Sequence, residues 1–310
     1  MKIYGSSTGK FFKKKQELFF LCRVILSRIY HFFDKLSLLF SFIVILLSVV
    51  VSTINEHYSH YTSLVTPDLL TNLFVIALCI ILVTLSVPIR ENYPKISLMF
   101  KLIGLYVIAW VVMFSAYNLQ FTPFSPIDHF LYQADLAIGV QQNQWVAWLY
   151  HHPILHKIFV NIYNSLDYQV LILPILACFL INKQDVESFL VKLPFLQLIG
   201  GLIYYFWPTA SPASLLNQQF LVQGQIDLAL QFQQIHEGMM PTVVGEGLIS
   251  FPSFHVIWSA LFTLLFKQNK YLFIPLLILN VLLWVSTVVL GWHYMMDVIA
   301  SLVLVGVAVF

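Results

Sequence analysis

Eight runs of apolar residues bounded by charge dominate this chain, and they restrict what it can fold into. A helix needs about 20 apolar residues to cross roughly 30 Å of hydrocarbon. The runs fall at approximately residues 36–54, 69–89, 102–118, 158–182, 189–207, 252–266, 271–290 and 294–310. The sixth and eighth are short and hold ionisable residues. Composition agrees, because 59% of the 310 residues are hydrophobic and only 10% charged, against roughly a quarter charged in a soluble domain. A soluble fold with so few polar side chains would leave very large apolar patches on its surface. The expectation is an all-α integral membrane protein of about eight transmembrane helices. Disorder is excluded by the hydrophobicity, and nucleic-acid binding by a net charge of only +2. Cys22, Cys79 and Cys178 all lie inside apolar runs and form no disulfide framework or zinc spacing.

Lysine and arginine set the expected topology, because short loops rich in them stay on the cytoplasmic side. The first 35 residues carry Lys10, Lys13, Lys14, Lys15, Arg23, Arg28 and Lys35 among Phe and Leu. They read as a basic, amphipathic cytoplasmic-surface segment rather than a cleaved signal peptide, since no A-x-A site follows. With the N-terminus inside, the inner loops add Lys2, Arg90, Lys95, Lys101, Lys183, Lys192, Lys267 and Lys270, so fifteen of the sixteen cations are cytoplasmic. Only Lys157 falls outside. Both termini are then cytoplasmic, and the outer segments are approximately 55–68, 119–157, 208–251 and 291–293. Within 119–157, Trp145, Trp148 and Tyr150 suit an interfacial helix. The Gln-rich stretch 209–250 reads as a long loop, of the kind that serves as a lid or binding element. Outer segments without an N-x-Ser/Thr site lean toward a bacterial inner membrane.

Ionisable residues at membrane depth are expensive and point to function by default. His31, His57, His60 and His129 lie near span ends or in outer loops, where a solvated or interfacial histidine is the simpler reading. Two strings differ: SFPSFH, ending in His255, opens the sixth run, and GWHYMMD, with His293 and Asp297, opens the eighth. Spaced i, i+4, His293 and Asp297 share a helix face if the helix begins near residue 292. The carboxylate then orients one ring nitrogen and leaves the other basic, the logic of hydrolytic triads applied to a histidine nucleophile. His255 arrives on the same outer face from another helix, with a pKa range suited to a general acid. SFPSFH also reads as a helix start, with Ser250 or Ser253 as cap and Pro252 in the first turn. Its free N–H groups make an anion site for which phosphate is the common guest. Capping serines and a helix-bridging His–Asp pair are the plain structural alternatives.

These residues carry a resemblance to the type 2 phosphatidic acid phosphatase superfamily, and in particular to its branch containing inositol phosphorylceramide synthase. The second family motif stands as Pro252, Ser253, Phe254 and His255, and the third as Ser286, Thr287, His293 and Asp297. The first is recognisable in the branch form YYFWPTASP, Tyr204 to Pro212; ADLAIG from Ala134 and YNSLDYQ from Tyr163 look like further elements of that branch. The resemblance covers roughly residues 120–310. It implies a six-helix catalytic core over 101–310, preceded by two additional helices within 36–100 and the segment 1–35. It also implies attack on phosphorus by His293 to give a phosphohistidine, orientation by Asp297 and leaving-group protonation by His255, with no metal or other cofactor. Ser253, Ser286, Tyr205, Thr209 and Lys157 are the expected substrate-binding residues. The partners implied are a lipid phosphate substrate and the bilayer.

The departures from the family pattern are chemical. Where the phosphatases carry two Lys/Arg residues in the first motif and an Arg in the third, this chain has Gly200, Trp207 and Thr287. A phosphate monoester carries close to two negative charges near neutral pH and a diester one, so the missing clamp favours phosphodiester headgroup transfer or cleavage over phosphatidate hydrolysis. Two other classes stay open on the sequence. A metal site would use His255, His293 and Asp297 with His236, Glu237 or Glu246. A non-catalytic carrier or pseudoenzyme would keep the pocket without the clamp. An aromatic group of Tyr204, Tyr205, Trp207, Trp292 and Tyr294 near the outer face fits sideways lipid access or interfacial anchoring.

Overall fold

A computed structural model describes residues 35–51, 53–54, 69–115, 119, 121–239, 241–243 and 249–309. The basic segment 1–34, with Cys22 and His31, lies outside these residues, as do His57, His60 and Glu246. Among the described residues the chain forms α-helices and two short 3-10 turns, with no strand. We label the helices α1 (Lys35–Val51), α2 (Leu69–Ile89), α3 (Pro94–Ser115), α4 (Asp128–Ala137), α5 (Gln142–Tyr150), α6 (Pro153–Leu180), α7 (Lys183–Phe206), α8 (Gln223–His236), α9 (Phe254–Leu265), α10 (Lys270–Val289) and α11 (Met295–Val309). Four of them, α3, α6, α7 and α10, are long and apolar enough to cross a membrane; α1, α2, α9 and α11 supply shorter apolar helices. Each lies close to one of the eight apolar runs.

The helices form where the sequence removes other options. Asn182 caps α7 by accepting a bond from the Asp185 N–H at 2.9 Å, satisfying one of the orphan donors of a first turn. The α2–α3 pair closes at Gly104, where a Cβ would sit 2.7 Å from the Cys79 carbonyl oxygen. Only glycine allows so close a crossing, the usual device where apolar lipid gives helices little reason to associate. Helix α9 is the most enclosed: nine of its twelve residues are buried, between α6, α7, α10 and α11.

A polar network fixes α9 within that packing. Asn280 of α10 donates to the Ser259 carbonyl and the Thr263 hydroxyl at 2.9 and 2.8 Å, and accepts from Gln169 of α6 at 2.7 Å. The Trp284 indole donates to Ser259 Oγ at 2.8 Å. Every member projects from a different turn, so α9 cannot rotate without breaking bonds that hydrocarbon would not replace. His255 therefore points where the network puts it.

Two expectations need correction. Lys101 and Lys192, expected in inner loops, lie within α3 and α7. Lys101 is 1% exposed and pairs with Glu187 of α7 at 3.0 Å, because a buried ammonium requires a partner. The Gln-rich stretch 209–250 is not a plain loop, since its middle forms α8. Glutamine is a good helix former, the Gln223–Asp227 and Gln233–Glu237 pairs bond at 2.8 Å one turn apart, and Ala229, Phe232 and Ile235 are buried.

Candidate active site

Helix α10 ends at Gly291, whose φ of +82° is the left-handed conformation that closes helices and that glycine adopts without cost. The N–H groups of Trp292 and His293 return to the Thr287 carbonyl at 2.9 and 3.0 Å, and α11 begins at Met295. His293 is thereby held in a two-helix turn rather than on a helix, a correction to the expected start near 292. The i, i+4 reach survives: His293 Nδ1 lies 3.3 Å from Asp297 Oδ2. The same nitrogen lies 3.0 Å from the Ser250 carbonyl oxygen. A carbonyl can only accept, so Nδ1 carries the proton and Nε2 keeps its lone pair. His293 is 4% exposed and Asp297 fully buried.

Asp297 is fixed from several sides. Its Oδ2 accepts from the Tyr294 N–H at 2.9 Å and from Ser250 Oγ at 3.3 Å. Ser253 is the cap of α9, accepting from the Val256 N–H at 3.4 Å, which leaves Pro252 before the helix rather than in its first turn. Ser301 of α11 donates to the Ser253 carbonyl at 3.2 Å, tying the two helix starts together. His255, the second residue of α9, presents its ring 5.7 Å from that of His293. Tyr163 of α6 stacks on His255 at 4.5 Å, and Trp292 stacks on Tyr163 at 5.7 Å.

These rings line a cavity of about 620 Å³, of the size that small-molecule sites commonly have. His255, His293, Ser211, Ser250, Tyr163, Asn164 and Asp167 contribute its polar wall, and among the described residues no Lys or Arg lines it. At Gly200, the first of the three positions without the family cations, packing explains this. A Cβ on Gly200 would lie 2.7 Å from Phe254 Cζ, so the ring next to His255 occupies the space of any side chain there. Thr287 is buried and donates its hydroxyl to the Trp284 carbonyl at 2.8 Å. Trp207 is 53% exposed and packs beside Phe206.

None of the five expected binding residues is on this cavity wall. Ser253 is fully buried and its hydroxyl oxygen caps α9. Ser286 is buried and spends its hydroxyl on the Leu283 carbonyl one turn back. Tyr205 packs on Phe124 and Phe206 and lines a separate small cavity with α1 residues. Thr209 is buried, and Lys157 is exposed on the early part of α6. Of the aromatic group, Tyr204 and Tyr294 are fully buried rather than at a rim. Among the described residues no group of three or more His, Cys, Asp or Glu side chains is arranged to hold a metal ion; Glu246, one of the donors drawn from the sequence, lies outside these residues.

Helices α4, α5 and α8 supply what the sequence reading missed. Asp135 of α4 accepts from the Met295 and Met296 N–H groups at 2.8 and 3.0 Å, capping α11 from another helix. Asp128 of α4 accepts from the Ala210 N–H at 2.9 Å and from the Tyr294 hydroxyl at 3.1 Å. Gln142 of α5 donates to the Val288 and His293 carbonyls at 2.9 and 2.8 Å. Gln225 of α8 does the same for Leu290 at 2.9 Å. Burial pushes the Asp128 carboxyl up to about 6 and raises that of Asp135, against the opposing pull of their hydrogen bonds. Only ADLAIG signalled any of this in the sequence.

A family model described as the PAP2 superfamily matches residues 129–310, more than half of the chain. No curated protein and no solved structure gives a match. The matched stretch contains the paired histidines and Asp297, and with the apolar spans it makes this a membrane protein of the lipid phosphatase or phosphotransferase type: the chain belongs to the PAP2 superfamily.

Proposed function

We propose that the protein transfers the phosphorylated headgroup of a lipid phosphodiester through a covalent phosphohistidine on His293. His293 Nε2 attacks phosphorus, while Asp297 and the Ser250 carbonyl hold Nδ1–H and stabilise the charge that develops on the ring. The bond from phosphorus to the lipid alkoxide breaks, and His255, as the imidazolium, gives that oxygen its proton. His255 then takes a proton from an incoming alcohol or water, whose oxygen displaces His293. An alcohol gives transfer and water gives hydrolysis. The N-terminus of α9, which Ser253 caps, binds the single negative charge of the diester. The binding roles expected of Ser286, Tyr205, Thr209 and Lys157 are left out of this machinery.

The observation that carries the reading is the coupling of His293 Nδ1 to Asp297 at 3.3 Å and Ser250 at 3.0 Å, with the His255 ring 5.7 Å away in one cavity. The diester preference rests on a wall without Lys or Arg among the described residues, where Phe254 fills the place of the first-motif side chain at Gly200. We further propose eight spans, with α3, α6, α7, α9, α10 and α11 as the catalytic core over 101–310 and α1 and α2 as additions. Both termini face the cytoplasm and the site faces outward, in a bacterial inner membrane. The test is product analysis on purified protein in lipid micelles, offering labelled phosphatidate and labelled phosphodiester lipids with and without an alcohol acceptor, beside His293→Ala. Label on the acceptor that vanishes in the variant is expected. Inorganic phosphate released from phosphatidate as the main product would refute the diester reading.

A further inference from the structure

The cavity holds a carboxylate that the proposed reaction does not use. Asp167 lies on α6 one turn beyond Tyr163, whose ring stacks on His255, and near the middle of a 28-residue helix long and apolar enough to cross the membrane. Asn164, beside it on the same face, also lines the cavity. Past this pair the wall becomes apolar at Val170 and Leu171. A carboxylate at that depth is costly and persists where it serves a substrate path. Neither Asp167 nor Asn164 has a side-chain hydrogen bond or ion pair among the described residues, and both are exposed to the cavity side of the fold.

We infer that Asp167, with Asn164, forms a specificity shelf that accepts a hydrogen bond from a free hydroxyl on the lipid backbone next to the reacting phosphate. This rests on the reaction proposed above and names what its lipid must carry. An ionised carboxylate only accepts hydrogen bonds, so it repels phosphate oxygens and ester carbonyls and rewards a donor. Repulsion from the shelf also drives the phosphate toward the histidines. Residues one turn apart on a helix face are separated by about 5–6 Å, the reach from a phosphorus beside His255 across its ester oxygen and one carbon to a hydroxyl on the next carbon. The apolar wall beyond then receives the chain.

The experiment uses full-length protein in micelles and two single-chain phosphodiester lipids alike in charge and chain. One has a free hydroxyl on the carbon beside the phosphate-bearing carbon; the other has that hydroxyl capped as a methyl ether. Wild type is expected to prefer the free hydroxyl by roughly tenfold or more in kcat/KM, mainly through KM, the worth of one hydrogen bond to a charged group. In Asp167→Leu the ratio collapses to near one, and in Asp167→Asn it is intermediate. An undiminished preference in Asp167→Leu, or none in wild type, overturns the inference. Should wild type turn over neither lipid, the proposed reaction is at fault, and the shelf is read instead from quenching of the cavity tryptophans Trp110, Trp258 and Trp292 on lipid binding. There the same preference, and its loss in Asp167→Leu, is expected; equal binding of both lipids by wild type overturns it. Asp167→Asn, the closest in shape, serves if the leucine variant does not fold.

Discussion

Replacing Asp135 by alanine removes the acceptor of two N–H groups at the start of α11 without touching any cavity residue. The first turn of α11 has its donors accounted for: Tyr294 N–H goes to Asp297, Met295 and Met296 to Asp135, and Asp297 N–H to the Tyr294 carbonyl at 3.1 Å. Alanine leaves two of these without a partner in a site where Asp135 itself is 1% exposed. A hydrogen bond to a charged group is worth about 1.5–3 kcal/mol. Met295 and Met296 are only half-buried, so water recovers part of the loss, and the net cost is roughly 2–4 kcal/mol. Against a typical total of about 5–15 kcal/mol this is large, and it lowers the midpoint of thermal unfolding in micelles by about 5 °C or more. The first turn of α11 also carries Asp297, so its fraying loosens the His293 contact, and turnover below the transition falls more than about tenfold. Asp135→Asn, with one oxygen left to accept, sits between. An Asp135→Ala protein with unchanged unfolding and turnover within twofold of wild type would refute this account of how the turn is held.

Three other perturbations follow from named contacts. Because burial holds the Asp128 carboxyl at about 6 rather than near 3.8, the folded state binds its proton more tightly than the unfolded state. Its contribution is full below about pH 4 and is lost as pH rises through about 6, on the order of 3 kcal/mol; Asp128→Asn, which can still meet Ala210 and Tyr294, flattens that slope in unfolding measured from pH 4 to 7.5. Lys101→Met leaves the buried Glu187 carboxylate only the longer pair to Lys183 at 3.7 Å and costs roughly 2–4 kcal/mol, whereas Lys101→Met with Glu187→Leu recovers most of it; a double variant no better than the single would contradict the pairing. Gly200→Ala pushes a methyl group to 2.7 Å from the Phe254 ring, so unfolding assays show about 1–3 kcal/mol of overpacking, and turnover falls because Phe254 adjoins His255.

The apolar runs made the spans legible because hydrocarbon imposes one requirement, a length of apolar helix, and the boundaries of α2, α10 and α11 fall within two residues of those read from sequence. His255, His293 and Asp297 were legible because their spacing and helix starts constrain them locally. The bracing was not. Asp128, Asp135, Gln142 and Gln225 act on carbonyls and N–H groups that lie 65 or more residues away in sequence, and no local periodicity encodes such a bond. Ser286 misled for the opposite reason: a motif position names a residue but not the direction of its hydroxyl, and within α10 it bonds back to the Leu283 carbonyl of its own helix. Lys101 likewise counts as a loop cation until Glu187, on another helix, is seen to bury it.

The central claim is a covalent bond between His293 and a phosphorus that still carries its headgroup. The most direct measurement is rapid quenching of turnover on a headgroup-labelled phosphodiester lipid under alkaline conditions that preserve phosphoramidates, followed by peptide mapping. The account predicts label, with the headgroup mass attached, on the peptide containing His293, lost on mild acid and missing in His293→Ala. Transfer of label to an acceptor with no labelled peptide, or undiminished transfer by His293→Ala, would contradict it.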